Sequence, residues 1–252
     1  MKSFWLPKLT LFAAFTLAIT RFSAPAQNVP GGGDFNSSLL RLFGEHKAFT
    51  AKASLQSLDE KQTETVSTPV DISLLEDRAR FDIDLTLMKS ANMPPSAIAP
   101  LKASGMAHVV TVSRPDLKQV LVIYPDAKSM LRMPMADKDV QASKAPPKLE
   151  KAELGKETIN GHPCLKNKVT LTDASGATIV ATTWNASDLK DFPVQIQTTD
   201  KGKTVVIQFN DIKLGKPEAA LFDVPTGYKE YKNTQEMMQE MMMKVMGGQL
   251  GR

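Results

Sequence analysis

The sequence has little of what metal centres and disulfide-stabilised folds need. Its 252 residues include a single cysteine, Cys164, and three histidines, His46, His108 and His162, which lie far apart in the chain. One cysteine cannot form an internal disulfide. No second cysteine accompanies Cys164 and His162 at a zinc-binding spacing. We therefore expect no metal centre of this type and no cofactor, and a fold that depends on its hydrophobic core.

Catalytic motifs are also absent. The chain has no G-x-S-x-G and no H-E-x-x-H segment. Asp82 and Asp84 could in principle act as paired acid–base carboxylates. They lie, however, between Arg80 and Thr86 on the same face of a predicted strand, which is typical of a solvated face. The sequence therefore predicts a protein that is not an enzyme.

Long apolar runs are missing except near the start of the chain. Lys2 and Lys8 precede an apolar run over residues 9–19, and Ala24 and Ala26 follow it with the spacing of a cleavage site. This run is shorter than the ~20 residues that a membrane-spanning helix needs. The pattern predicts a signal peptide, so the mature protein is expected to be periplasmic or secreted and not transmembrane.

Cleavage would change the charge of the chain. The predicted signal peptide, residues 1–26, holds three of the 31 basic residues, which leaves 28 basic against 27 acidic residues in the mature chain. No basic patch with interleaved aromatic residues remains, so nucleic acid is not an expected partner. The following residues, 27–36, are predicted to form a flexible leader.

Most of the remaining chain alternates between apolar and polar residues. The clearest case is "RARFDIDLTLM", where Phe81, Ile83 and Leu85 share one face and Arg80 and Asp82 share the other. This period of two is typical of half-buried strands. We expect a short helix near residue 40 and then seven to ten antiparallel strands with two irregular inserts.

Methionine is concentrated at the end of the chain. Six of the 13 methionines lie between Met237 and Met246, and at ~100° per residue they cover half of a helix. We predict a helix over residues 234–246, ended by the two following glycines. Its buried positions are predicted to be Met238, Met241, Met242 and Val245. Three interpretations stay open: a docked helix, a lid or partner-binding helix, and a methionine set that binds Cu(I).

The order of the elements resembles a known superfamily. A short amphipathic helix runs into strands in "SLLRLFGEHKAFTAKASL", "INGHPCLKNKVTL" follows, and "LFDVPTGY" closes the strand region. These segments resemble periplasmic lipoprotein carriers of the LolA and LolB type. The resemblance implies an α+β, mainly β fold: a curved antiparallel sheet that forms an incomplete barrel, with short helices packed on its concave side. It covers a predicted domain over residues 37–233, and the Met-rich segment 234–252 lies outside the usual pattern.

The resemblance implies a carrier that binds an apolar ligand, either a lipid or a lipoprotein acyl chain, between sheet and helices. The alternative is an envelope protein that docks on a protein partner by its Met-rich helix, and a third, less favoured reading is a copper-handling protein. Candidate cavity residues are apolar members of the best strand patterns: Phe49, Leu55, Phe81, Ile83, Leu85, Val205, Ile207 and Phe209.

Overall fold

The computed structural model describes residues 40–90, 94–137, 140, 148–172, 178–200 and 202–250. The predicted signal peptide and leader lie outside these residues, so their boundaries remain predictions. In the C-terminal helix, the side chains of Met242 and of residues 244–250 also lie outside what is described.

The described residues form one large sheet with few helices. Its strands run in the order β13-β7-β6-β5-β3-β2-β1-β12-β11-β10-β9-β8, with β4 paired to β2. All neighbours are antiparallel except β13 and β7, and the sheet does not close. The strands are β1 Ala48–Leu58, β2 Glu64–Leu75, β3 Arg78–Asp84, β4 Lys89–Ser90, β5 His108–Arg114, β6 Gln119–Tyr124, β7 Ser129–Pro134, β8 Lys148–Ile159, β9 His162–Thr172, β10 Thr178–Ala186, β11 Phe192–Asp200, β12 Lys203–Leu214 and β13 Lys229–Tyr231.

The helices are α1, Ala99–Ala103, and α2, Thr234–Leu250; residues 40–42 are also helical, and short 3-10 helices connect several strands. The predicted fold class, a mainly β open sheet with short helices, is confirmed. The strand count exceeds the predicted seven to ten, partly because the alternating pattern does not reveal β8. β8 is an edge strand whose side chains are mostly exposed, so it lacks the apolar alternation that marks a half-buried strand.

The pairing register defines two faces of the sheet. Residues directly opposite each other in an antiparallel pair point to the same face. Phe81 on β3 opposes Thr111 on β5. Thr111 opposes Val122 on β6, which opposes Leu131 on β7. We call this side, which also carries Phe49, the core face, and the opposite side the outer face.

The core face carries two separate apolar clusters. The larger one is centred on four phenylalanines, Phe43, Phe49, Phe192 and Phe209, whose contacting ring centroids lie 4.7–5.7 Å apart. Phe43 reaches it from the helical turn that precedes β1, as the amphipathic pattern predicts. The smaller cluster lies on β6 and β7, where α2 contributes two buried methionines.

The outer face has a cluster of its own under a chain segment that crosses it. Fully buried residues of β5 and β6, among them Val110 and Leu121, pack there with Phe222. Phe222 belongs to the 3-10 helix Ala219–Phe222, and Arg78 lies over its ring, 5.6 Å from the centroid. β5, β6 and β7 are therefore packed on both faces.

This outer segment corrects one prediction from the strand pattern. Arg80 and Asp82 do not form a freely solvated face, because their side chains are only 23% and 28% exposed. Arg80 Nη1 donates a hydrogen bond to the carbonyl of Leu221 at 3.1 Å, and Arg80 Nη2 donates to Asp82 Oδ2 at 2.9 Å. The polar positions of β3 thus hold the covering segment.

A second correction concerns the end of β3. The alternating pattern continues through Leu87, but the strand ends at Asp84, where a 3-10 helix, Leu85–Leu87, begins. Asp84 Oδ1 accepts hydrogen bonds from the backbone N–H and the hydroxyl of Thr86, at 2.8 and 2.6 Å. The Thr86 hydroxyl bond lowers the pKa of Asp84. Leu85 still packs against the large cluster, whereas Leu87 is 57% exposed.

Candidate ligand-binding face

The core face is not buried evenly along its strands. On β12, Phe209 is 1% exposed and Ile207 is also buried, but Val205, two residues further along, is half-buried. The same change occurs on β1, where Phe49 is fully buried and Leu55 is half-buried. The packed phenylalanine cluster therefore forms a closed base, from which the apolar face extends toward solvent.

The neighbouring strands continue this gradient. Ile179 on β10 is 39% exposed and opposes Leu171 on β9, which opposes the half-buried Leu149 on β8. On the other side, Ser57 opposes both Val205 and the half-buried Val66. The half-exposed apolar residues at this end of the core face are called the open rim: Leu55, Val66, Leu149, Ile179 and Val205.

Seven of the eight candidate cavity residues lie on the core face of the sheet, and Leu85 follows β3 in a 3-10 helix. Five are buried members of the large cluster, and Leu55 and Leu85 pack against it. Val205 is half-buried on the open rim. Their assignment to a ligand site stays a prediction, and the geometry places most of them in the closed base. The buried five are Phe49, Phe81, Ile83, Ile207 and Phe209.

Three members of the open rim were not predicted as site residues: Val66, Leu149 and Ile179. The alternation in "ATIVATTW" already separates Ile179 from Val180, but it does not say which face is the core. That choice needs the register with β9, which the sequence alone does not supply. Leu149 lies on the missed strand β8.

The C-terminal helix is only partly as predicted. Met241 is buried, but Met238 is 40% exposed, which contradicts its predicted burial. Met237, one residue earlier, is fully buried instead. Met237 and Met241 are four residues apart, so they lie on the same side of the helix, and this is the side that packs on the sheet. Met242 and Val245 lie outside the described side chains. The helix also continues through Gly247 and Gly248 to Leu250, so the predicted glycine stop is wrong.

Polar contacts tie α2 to the chain that precedes it. Asn233 Oδ1 accepts a hydrogen bond from the backbone N–H of Glu236 at 2.8 Å, which caps the helix. Glu236 Oε2 accepts from the backbone N–H of Lys232 at 3.1 Å. Lys229 Nζ donates to Glu240 on the same helix, and this bond raises the pKa of Lys229.

A cluster of three hydrogen-bonded polar side chains lies within the core face. Thr183 and Asn167 both donate to Asn185 Oδ1, at 2.7 and 3.3 Å, and Asn185 Nδ2 donates to the carbonyl of Asp191 at 2.8 Å. These buried amides and the hydroxyl are therefore partnered with one another. Asn185 belongs to a glycosylation-type N-x-S segment, but its buried, bonded amide is inaccessible in the folded chain.

The histidines and the cysteine do not assemble a catalytic arrangement in the part of the chain that the structure describes. His108 Nε2 lies 2.6 Å from Asp82 Oδ1, and His162 Nδ1 lies 2.8 Å from Asp188 Oδ2. The Cys164 thiol donates to the carbonyl of His162 at 3.3 Å, and burial raises its pKa, which disfavours the thiolate. Among the described residues, no group of three or more His, Cys, Asp or Glu is placed to hold a metal ion.

Comparison with known proteins finds similarity only among solved structures. No family model matches the sequence, and no curated protein matches it. A LolA superfamily protein from Nitrosomonas europaea is 12% identical with a TM-score of 0.40, covering 73% of this chain and 93% of that chain. The lipoprotein LppX of Mycobacterium tuberculosis is 12% identical, with a TM-score of 0.37 and coverage of 71% and 92%.

LprF from Mycobacterium bovis is 10% identical with a TM-score of 0.37, covering 74% of this chain and 98% of that chain. Among the described residues, no helix combines the length and the apolar character that crossing a membrane requires.

Proposed function

We propose that the exported chain is a non-enzymatic binding protein that takes one apolar chain of a lipid or lipoprotein on the core face, at the open rim. The observation that supports this proposal is the burial gradient from Phe209 to Val205 and from Phe49 to Leu55. Here the apolar alternation continues for one or two residues beyond the packed base.

The energetics favour a long, flexible apolar ligand. Burying a methylene group contributes about 0.8 kcal/mol, so about ten methylenes laid along Leu55, Ile179 and Val205 would supply several kcal/mol without any charged group. Contiguous apolar residues left at a surface commonly mark sites for ligands or partners. An acyl chain fits because it can follow a row of half-exposed side chains across several strands.

Two adjacent residues of β10 provide a matched test. Ile179 lies on the core face and Val180 on the outer face, and they are 39% and 46% exposed. A carboxylate at either position costs little folding stability, because both sites reach solvent. We expect Ile179→Asp to weaken binding of a fluorescent long-chain fatty acid and Val180→Asp to leave it unchanged. Equal titrations for both variants and the unmodified chain would contradict binding at the open rim.

One observation favours a second candidate, a protein partner that docks on α2. Met238 and Met243 are 40% and 67% exposed on this helix. Flexible thioethers suit adaptable protein-binding surfaces. Deleting residues 234–252 separates the candidates: loss of a cross-linked envelope partner with retained fatty-acid binding supports docking by α2. Retained cross-linking after the deletion excludes it.

A further inference from the structure

The register of the sheet aligns one residue from each of seven neighbouring strands on the core face. Starting at β2, each of these residues lies directly opposite the next one, as far as the edge strand β8. Directly opposed residues of antiparallel strands point to the same face. We call this line of side chains the rim row: Val66, Ser57, Val205, Thr198, Ala181, Val169 and Lys151.

Lys151 is the one charged member of the rim row. It is exposed on β8, two residues from Leu149 of the open rim and on the same face. A lysine keeps its ammonium group in water while its methylene stem covers apolar surface. Within the described part of the chain, Lys151 forms no ion pair, whereas Lys148 on the same strand bonds Glu150 at 2.9 Å. The rim row therefore ends in a positive charge without a described counter-charge.

The open rim leads to this charge. The central members of the rim row are buried, so a ligand passes on their solvent side, over Ile179 and Leu149. From Val205 on β12 to the edge strand β8, the ligand crosses four strand spacings, about 19 Å in all. A long acyl chain that follows this path has its end beside Lys151.

We propose that the ligand of the open rim is an anionic lipid, whose carboxylate or phosphate group binds the Lys151 ammonium while its apolar chain extends toward Val205. This inference rests on the proposed function and narrows it. The acyl groups of a lipoprotein are attached through neutral amide or ester linkages, which form no charge pair with a lysine. A free lipid with an ionised head group does form one.

The order of charges along β8 favours an anion over a cation. Glu153 lies two residues beyond Lys151 on the same face, and it opposes Asn167, a member of the buried polar cluster. A head group that arrives from the open rim therefore reaches the ammonium before the carboxylate. The mature chain is expected to carry nearly equal numbers of basic and acidic residues, so its overall field adds little attraction.

Competition binding with matched ligands tests the head-group contact. A long-chain fatty acid, the alkyl phosphate and the methyl ester of the same chain length each displace an uncharged fluorescent alkyl probe from the full-length mature chain. We expect both anions to bind about two- to fivefold more tightly than the ester, which is the range of an exposed ion pair. Lys151→Gln should abolish this preference and Lys151→Glu should reverse it, with the affinity for the ester unchanged. High salt should reduce the preference in the unmodified chain.

Two control variants make the result decisive. Lys168 is also exposed but lies on the outer face, opposite Ala152, so Lys168→Gln should keep the full preference. Lys203→Gln, which removes the cation at the Val205 end of the path, should keep it as well. Ester binding reports that each variant is folded.

The proposal is overturned if either control abolishes the preference as Lys151→Gln does. It is also overturned if the acid and the ester bind the unmodified chain equally, a result that would leave the proposed function standing. Failure of the probe and of all three ligands to bind would refute both.

Discussion

The two ends of the sheet are covered differently. At β5–β7, the outer segment and α2 pack on opposite faces, so β6 is apolar on both sides, as in "VLVIY". At β9–β12, the outer face carries half-exposed amides such as Gln195, Gln197 and Gln208 beside the apolar Val180 and Val206, whereas the core face is mostly apolar. The first end is a closed sandwich and the second is a one-sided sheet whose apolar face reaches solvent.

Because of this difference, we assign a scaffold role to the first end of the sheet and the candidate binding role to the second. A strand buried on both faces serves as scaffold, because its side chains are committed to packing. The one-sided end leaves apolar side chains available at the open rim. The scaffold end holds the smaller cluster of the core face, where α2 docks through Met237 and Met241. The predictions below test whether the closed and open ends differ in this way.

The largest expected effect is at the outer cover. Phe222 is fully buried between the segment that carries it and the outer face of β5 and β6. Phe222→Ala should lower the free energy of unfolding by about 3–5 kcal/mol through lost burial and a cavity. Denaturant unfolding measures this, and Val224→Ala in the same segment, at a partly exposed site, is the control with a loss below about 1 kcal/mol. Similar losses for both variants would mean that the cover is not packed.

The docking of α2 should contribute less free energy than the packing of the outer segment around Phe222. Met237→Ala is expected to cost about 2–3 kcal/mol of docking free energy, and Met238→Ala less than about 0.5 kcal/mol. The loss is limited because local opening of α2 leaves the sheet folded. Protease sensitivity of the tail and hydrogen exchange of α2 report this local opening. If Met238→Ala opens the tail as readily as Met237→Ala does, the described helix orientation is wrong.

The ion pairs under the cover should have a moderate effect. If the Asp82 side chain were fully solvated, Asp82→Asn would change the free energy of unfolding by about 0.5 kcal/mol or less. Because Asp82 bonds Arg80 and His108 beneath the covering segment, we expect a loss of about 1–2 kcal/mol. Asp71, exposed and directly opposite on β2, is the matched control. Asp71→Asn should be neutral or slightly stabilising, since it removes a like charge, so an equal loss at both positions would contradict the network.

The smallest expected effect depends on pH. Hydrogen bonds from Arg114 lower the pKa of Asp116, so the folded state binds fewer protons there than the unfolded chain does. This carboxylate therefore stabilises the fold above its unfolded pKa of about 3.9, and the contribution is lost as the pH falls through the lower folded value. Partial exposure limits it to less than about 1 kcal/mol. Asp116→Asn should lower stability at neutral pH and not in strong acid; a loss that persists in acid would refute the linkage.

Local sequence patterns predict most of the strands, but they do not predict which segments pack over the faces of those strands. The alternation around Phe81 and Ile83 places both residues on the core face, as the structure confirms. The same pattern misassigns Arg80 and Asp82, because their cover comes from residue 221, far along the chain. β8 was missed because an exposed edge strand has no apolar face to reveal it. Whether Met237 or Met238 is buried depends on how α2 is rotated against the sheet. Helical periodicity alone does not determine that rotation.

The most direct test of the central claim follows a spin-labelled fatty acid by methyl NMR. A nitroxide near the end of the acyl chain broadens methyl signals that lie close to it. Binding at the open rim predicts broadening at Leu55, Ile179 and Val205, with Val110 and Ile123 of the outer cluster unaffected. Broadening of Val110 and Ile123, or no selective broadening when the ligand is in excess, would contradict a ligand site on the core face.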